Sequence, residues 1–276
     1  MNLEAVGKVW GPYEFTYDER DLIIYALGIG LTKENLEYVY EGNKDFKAFP
    51  TYGVIFPSNA GAEAFLSTEA NYRMVVHGEQ TLQIYQPLPC RGTVLTNTVI
   101  EGIYDKGSGA LMVMRFDSKD KNGTPICSNW VGAFVRGAGG FGGAAQPKKE
   151  IPATPQREPD FVFDAQTGVN QAALYRMSGD RNPLHIDPAV AQAVGFKEPI
   201  LHGLCTYGVV CGRFVQQVFQ GDDGKLKSYS ARFSTPVIPG ESLQTKVWQT
   251  NPRLFLLEVC NAKGEAVLRN GVIESG

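Results

Sequence analysis

The sequence predicts an α+β protein made of two consecutive copies of one unit, each an antiparallel sheet wrapped around a central helix. Three observations carry this. The same punctuation recurs in the same order on either side of a Gly- and Pro-rich stretch near the middle of the 276-residue chain. Residues 204–219, LCTYGVVCGRFVQQVF, are apolar nearly all round and long enough for a buried helix. Four runs of strand character follow it, at 226–233, 241–250, 253–260 and 265–273.

Each unit starts with a tyrosine followed by small residues, Tyr25 to Gly30 and Tyr175 to Asp180, offset by 150 positions. A His-Gly pair comes next, His77-Gly78 and His202-Gly203. A proline-bearing strand entrance follows, Gln86 to Pro89 and Thr235 to Pro239, each with a glycine soon after, Gly92 and Gly240. Each unit closes with strand, turn, strand: Ala110 to Asp117 through Asn122-Gly123 to Ile126, and Leu254 to Cys260 through Lys263-Gly264 to Val267. Asn-Gly and Lys-Gly between apolar runs read as hairpin turns. A shared order of this kind points to duplication. In the second unit, Phe161 to Phe163 is expected as a short strand and Thr167 to Met177 as a helix. A sheet around one buried helix is the hot-dog arrangement, and two copies make a double hot dog. Residues 137–159, rich in Gly, Pro and charge, cannot bury a core and are expected as an exposed linker between units 1–136 and 160–276.

Bulk properties narrow the function. An apolar fraction of 43%, with 15 Phe and 12 Tyr, supports a sizeable core. A net charge of −3 argues against a nucleic-acid surface, which needs a basic excess to neutralise phosphates. No window approaches 18 uninterrupted apolar residues, so no membrane span is expected. Met1 to Trp10 lacks a signal-like apolar core. Cys90, Cys127, Cys205, Cys211 and Cys260 have no CxxC spacing and are expected as reduced thiols of an intracellular protein. With three histidines and scattered cysteines, neither a metal nor another cofactor is expected.

The chemistry concentrates between Tyr175 and Asp187. Ser178-Gly179-Asp180 stops a helix, and Asn182-Pro183 forces an extended or turn form. Asp180, Asn182 and His185 therefore share a tight loop, where side chains can face a cavity. A water held between an aspartate and a histidine can lose one proton and gain another while adding to an alkene.

The string of Tyr175, Ser178-Gly179-Asp180, Asn182-Pro183-Leu184-His185 and Asp187 resembles the signature of the hydratase 2 family, the MaoC-like (R)-specific enoyl-CoA hydratases. Met177 stands where an aliphatic residue is usual. The resemblance extends to the stretch at His77 and to the linker, covering nearly the whole chain. It is to the eukaryotic type, found alone or as the hydratase part of a peroxisomal multifunctional enzyme. It implies hydration of trans-2-enoyl-CoA to (3R)-3-hydroxyacyl-CoA in fatty acid β-oxidation, without a cofactor, by a homodimer. Asp180 and His185 would be the acid/base pair holding the water, with their order of proton transfer left open. Asn182 would orient the water, and the Gly203 amide at the helix N-terminus would hold the thioester oxygen.

The resemblance also implies substrate contacts at His77, Gly78, Lys106, Arg181, Pro183, Leu184 and Phe233. Two readings stand for Lys106, a CoA phosphate partner or a solvated turn lysine, and two for Phe233, a pocket wall or core. Arg232 and Arg253 are further phosphate candidates. The first unit has Gly30 where the second has Asp180, and no Asn-Pro-Leu-His. It also has 52 positions between Tyr25 and His77, against 27 between Tyr175 and His202. It is therefore expected to house the acyl tail, with Ala26, Gly28 and Gly30 opening space. The ending Glu274-Ser275-Gly276 is not a peroxisomal address. A peroxisomal location is expected in a eukaryote, as an excised part of a longer protein or otherwise, and a cytoplasmic one elsewhere. Two competing functions are an acyl-CoA thioesterase of the same fold and a non-catalytic acyl-thioester binding module.

Overall fold

A computed structural model describes residues 1–147 and 151–276. Lys148, Lys149 and Glu150 of the expected linker lie outside the described residues. The first half contributes β1 (Val9–Tyr17), β2 (Val75–Ile84), β3 (Gly92–Asp105), β4 (Gly109–Lys119) and β5 (Pro125–Arg136). The second contributes β6 (Phe161–Gln166), β7 (Leu226–Phe233), β8 (Ser242–Asn251), β9 (Leu254–Asn261) and β10 (Ala266–Ser275). They form one ten-stranded antiparallel sheet in the order β1-β3-β4-β5-β2-β7-β10-β9-β8-β6. The order within the second half repeats that of the first, read from the opposite edge, as duplication requires. Gly123 and Gly264 carry the positive φ, 86° and 77°, that the expected hairpin turns need.

Between β1 and β2 lie α1 (Glu19–Gly28), α2 (Leu36–Val39) and α3 (Ala62–Leu66); between β6 and β7 lie α4 (Gln171–Tyr175), α5 (Pro188–Ala193) and α6 (Gly203–Gln217). Asp18 starts α1 with a capping box, accepting the Arg20 and Asp21 amides while Asp21 accepts its own. The second half's central helix is α6, with ten of its 15 residues buried. An apolar helix covered all round is stable only inside a core, and here the sheet supplies the cover. In the first half the corresponding stretch is not one helix. It is two 3-10 segments, Pro50–Val54 and Phe56–Asn59, followed by the five-residue α3. Pro50 and Pro57 each open a segment, and each lacks the N–H that a continuous helix would use. The expected Thr167 to Met177 helix is likewise shorter, as α4 and a 3-10 turn at Arg176–Ser178.

The halves are joined twice. β2 pairs with β7, from Glu79 opposite Arg232 to Gln83 opposite Ser228. Beneath that seam, α1 and α6 approach so closely that α6 tolerates only hydrogen at one position. A Cβ on Gly208 would overlap Ile29 Cγ2 and lie 3.1 Å from the Tyr25 hydroxyl. One continuous apolar core runs from Tyr17 to Ile273, with Tyr25 against Tyr175 at 5.9 Å and Tyr207 stacked on Tyr229 at 3.9 Å.

This packing corrects one expectation. Gly28, at the end of α1, does not open space, whereas Gly30 borders a cavity. A Cβ on Gly28 would meet the Tyr175 Cα at 3.2 Å, and the Gly28 carbonyl accepts from the Gln171 amide and the Cys205 thiol. Glycine here permits contact between halves instead of a void. The described residues of the linker are mostly exposed, and they are anchored at both ends. Asp105 accepts the Gly140 and Gly142 amides at 3.0 and 2.7 Å, and the Trp248 indole donates to the Arg157 carbonyl at 2.9 Å. Gly208→Val should cost about 1–3 kcal/mol through overpacking, although valine is more apolar, as measured by chemical denaturation.

Candidate active site

The loop after α4 is built by local hydrogen bonds. Gly179, at φ 136°, turns the chain out of the 3-10 segment. Asp180 Oδ1 accepts the Asn182 amide, and Asn182 Oδ1 accepts the Leu184 amide, both at 3.1 Å. Asn182 thus caps the 3-10 turn Pro183–His185, with proline at its first position. That role uses one lone pair of the side-chain oxygen; its second lone pair and the amide nitrogen of Asn182 remain for other partners.

The turn brings His185 back toward the body of the protein. Its Nδ1 lies 2.8 Å from the Ile200 carbonyl oxygen. A carbonyl can only accept, so Nδ1 carries the proton and Nε2 keeps the lone pair. Burial pushes the imidazole pKa below its usual 6.5, outweighing the Ile200 hydrogen bond and the Asp180 charge, which both raise it. The ring is therefore neutral at pH 7. A second ring stacks on it, that of His202, with centroids 3.7 Å apart and planes inclined by 29°. His202 is 1% exposed, and its Nε2 lies 3.1 Å from the Asp180 backbone carbonyl. Burial, and then the neighbouring His185, lower its pKa to about 4. Tyr175 packs against the same ring at 5.1 Å.

Ligand atoms of Asp180, His185 and His202 lie within 4.8 Å of one another. Two histidines and a carboxylate are a common metal set. The stacked rings do not suit one ion, because lone pairs in two nearly parallel planes do not converge. His185 Nδ1 and His202 Nε2 are also engaged with backbone carbonyls.

Gly203 opens α6, and no side chain caps that helix end. Its first N–H groups have no partner within the helix. A Cβ on Gly203 would come 3.1 Å from the Phe233 ring, so this position admits little beyond glycine. Phe233 in turn meets His77 edge-on at 4.9 Å. Burial holds the His77 pKa at about 4, with its hydrogen bond to the Glu79 carbonyl and the charge of Asp180 acting the other way. His77 belongs to the first half and feels the carboxylate of the second.

The seam between β2 and β7 therefore gathers Asp180, His185, Gly203, Phe233 and His77. Gly78 sits at a bulge, where His77 opposes Ala133 and Glu79 opposes Gly132. Arg181 and Pro183 are exposed on the loop, and Leu184 is half-buried. Lys106 lies apart, in the turn between β3 and β4, three strands from β2, where Nζ donates to Gln146 Oε1 at 2.7 Å. His202 is the residue that sequence reasoning did not assign. Its signal was the His-Gly pair read as repeated in both halves, but the two pairs are not equivalent: His77-Gly78 lies in β2, whereas His202-Gly203 starts α6. His77 meets Phe233, which lies against Gly203 beside the stacked rings of His185 and His202.

Residues 15–137 match the family model described as the MFE-2 hydratase 2 N-terminal domain, and residues 150–269 the one described as the MaoC like domain. The chain is 40% identical over 269 residues to a probable enoyl-CoA hydratase 2 of Dictyostelium discoideum, covering 95% of this chain and 92% of that protein. It is 41% identical to the peroxisomal multifunctional enzyme type 2 of Mus musculus, covering 98% of this chain and 38% of that enzyme. It thus spans well under half of the multifunctional relative. A crystal structure of a MaoC-like dehydratase from Phytophthora capsici matches with a TM-score of 0.88 and 37% identity, covering 99% of this chain and 97% of that one. The repeated sheet, the loop carrying Asp180 and His185, and these likenesses agree: the chain belongs to the MaoC-like hydratase 2 family and is a hydro-lyase.

Proposed function

We propose that the protein adds water across the double bond of trans-2-enoyl-CoA to give (3R)-3-hydroxyacyl-CoA, as a step of fatty acid β-oxidation. The observation carrying this reading is the neutral His185, a ring nitrogen of which lies within 4.8 Å of an Asp180 carboxylate oxygen. Water between them gives one proton to His185 Nε2 as its oxygen bonds to C3 of the substrate. The π electrons move toward the thioester, and the oxygen there gains enolate character. The Gly203 amide and the positive end of α6 stabilise that charge, an effect of about 3 kcal/mol for comparable donors. The pair then returns a proton to C2, leaving Asp180 and His185 as they began.

The first half receives the acyl chain. Its longer stretch before β2 and its broken central element support this reading, and His77 and Phe233 would form the wall beside the thioester. Arg181, Pro183 and Leu184, on the loop itself, would border the CoA moiety. Lys106 reaches a CoA phosphate only at the far margin of such a site. The active form is a homodimer, and the location is peroxisomal where the source is a eukaryote.

Asp180→Asn and His185→Gln should each lower kcat by roughly 10²- to 10⁴-fold, followed as loss of enoyl absorbance from decenoyl-CoA. Release of free thiol in place of hydration would identify a thioesterase, and binding of decenoyl-CoA with no turnover by the unsubstituted protein would leave only a binding module. Chiral analysis of the product should give the 3R alcohol. Because His185 must be unprotonated to accept a proton, activity falls as pH drops through its lowered pKa. The acid limb of kcat/KM should therefore lie below 6.5. A rate series over chain length should favour medium and long acyl groups; a preference for four carbons would remove the role given to the first half.

A further inference from the structure

The acid/base loop and the helix bearing Gly203 are separate pieces of chain, and hydration requires them to be held at one spacing. Loops move more readily than helices, so something must tie them. His202, 1% exposed, stands between the two. His202 lies immediately before Gly203, so its backbone is continuous with α6. Its ring stacks on His185, and its Nε2–H donates to the Asp180 carbonyl. One side chain therefore touches both halves of the acid/base pair while its own main chain leads to the amide expected to meet the thioester.

We propose that His202 is a positioning residue that locks the spacing between the acid/base loop and the N-terminus of α6. The proposal rests on the reading that Asp180 and His185 perform the chemistry. Each property of the residue serves this role. A flat ring is needed to stack on His185, a donor is needed for the Asp180 carbonyl, and the group must stay neutral. A cationic ring 3.7 Å from His185 would oppose the imidazolium that forms there during turnover. The groups facing His202 are His185, Asp180, Arg176 and Tyr175, and those facing His185 are Asp180 and His202. Burial comes first among the causes keeping His202 neutral. Its Nδ1 is buried without a hydrogen-bond partner in the protein, which leaves the tautomer protonated at Nε2 as the one that matches the Asp180 contact.

The two contacts can be separated by substitution. His202→Phe keeps a ring over His185 and loses the donor. His202→Gln keeps a donor and loses the ring. With decenoyl-CoA, both should lower kcat by roughly tenfold to 100-fold while KM stays within about threefold, because misplacement acts on the transition state more than on binding. In His202→Gln, His185 also gains access to water, so the acid limb of kcat/KM should move up toward 6.5. In His202→Phe that limb should stay in place. Asp180→Asn and His185→Gln run beside them. If these two abolish turnover while the His202 variants keep the full kcat and an unshifted limb, the positioning role is wrong and the catalytic pair stands. If the pair variants keep their activity, the catalytic reading itself falls.

The unsubstituted protein supplies a second measurement that does not depend on how variants fold. With three histidines in the chain, nitrogen-15 spectra contain three imidazole rings. At pH 6, His202 should be neutral with its proton on Nε2, and its signals should show no titration above pH 5. A His202 ring protonated at pH 6, or carrying its proton on Nδ1, would overturn the proposal.

Discussion

The antiparallel pairing of β2 with β7 is the constraint from which the site follows. Two five-stranded sheets that stopped at these strands would each present an open edge, and an edge of unpaired amides invites the wrong partner. Joining them closes both edges and fixes which residues of the two halves become neighbours. Glu79 opposite Arg232 sets the register, and His77 and Phe233 then lie side by side where the seam ends. Phe233 covers Gly203, so the start of α6 is placed by the same pairing. The loop of Asp180 and His185 folds over this corner, shaped by its short local hydrogen bonds and tied down at Ile200 and His202.

A seam of five residue pairs would hinge if the layer beneath were loose. That layer is packed through glycine. Gly208 lets α6 lie against Ile29 and Tyr25, and Gly28 lets α1 lie against Tyr175. Tyr175 then touches His202, so the close contact between halves continues directly into the site. Interiors packed at this density transmit small displacements instead of absorbing them. A change at Gly208 is therefore expected to be felt at His202, although the two share no hydrogen bond.

Much of this was legible in the sequence, and the reasons differ by element. α6 was visible because a helix of that length, apolar over most of its surface, has to be covered by the rest of the fold. The strands of the second half were visible because turn glycines bounded them; β7 falls at Leu226–Phe233, within the run expected at 226–233. The loop of Asp180, Asn182 and His185 was visible because its geometry is local, three side chains within six residues joined by turn hydrogen bonds. What was not legible depends on returns of the chain through space. Glycine at position 28 suits a void and a close contact equally, and only the position of Tyr175 decides between them. The stacking of His202 on His185 depends on where Ile200 places the loop, which spacing along the chain does not reveal. The broken central element of the first half left its trace as Pro50 and Pro57, but their effect is clear only once the strands around them are in place.

The difference between the halves follows from the same physics. In the proposed mechanism an acid/base pair works only beside a donor for the thioester oxygen, and that donor would be the start of a long helix. The first half has replaced its central helix by 3-10 segments and a five-residue helix, which sum to little dipole and present no comparable array of free amides. Restoring an aspartate at Gly30 and a histidine after it would thus not create a second site. The half that has no long central helix is also the half that has no Asp-to-His loop, and what it contributes to the site is one strand of the seam and His77.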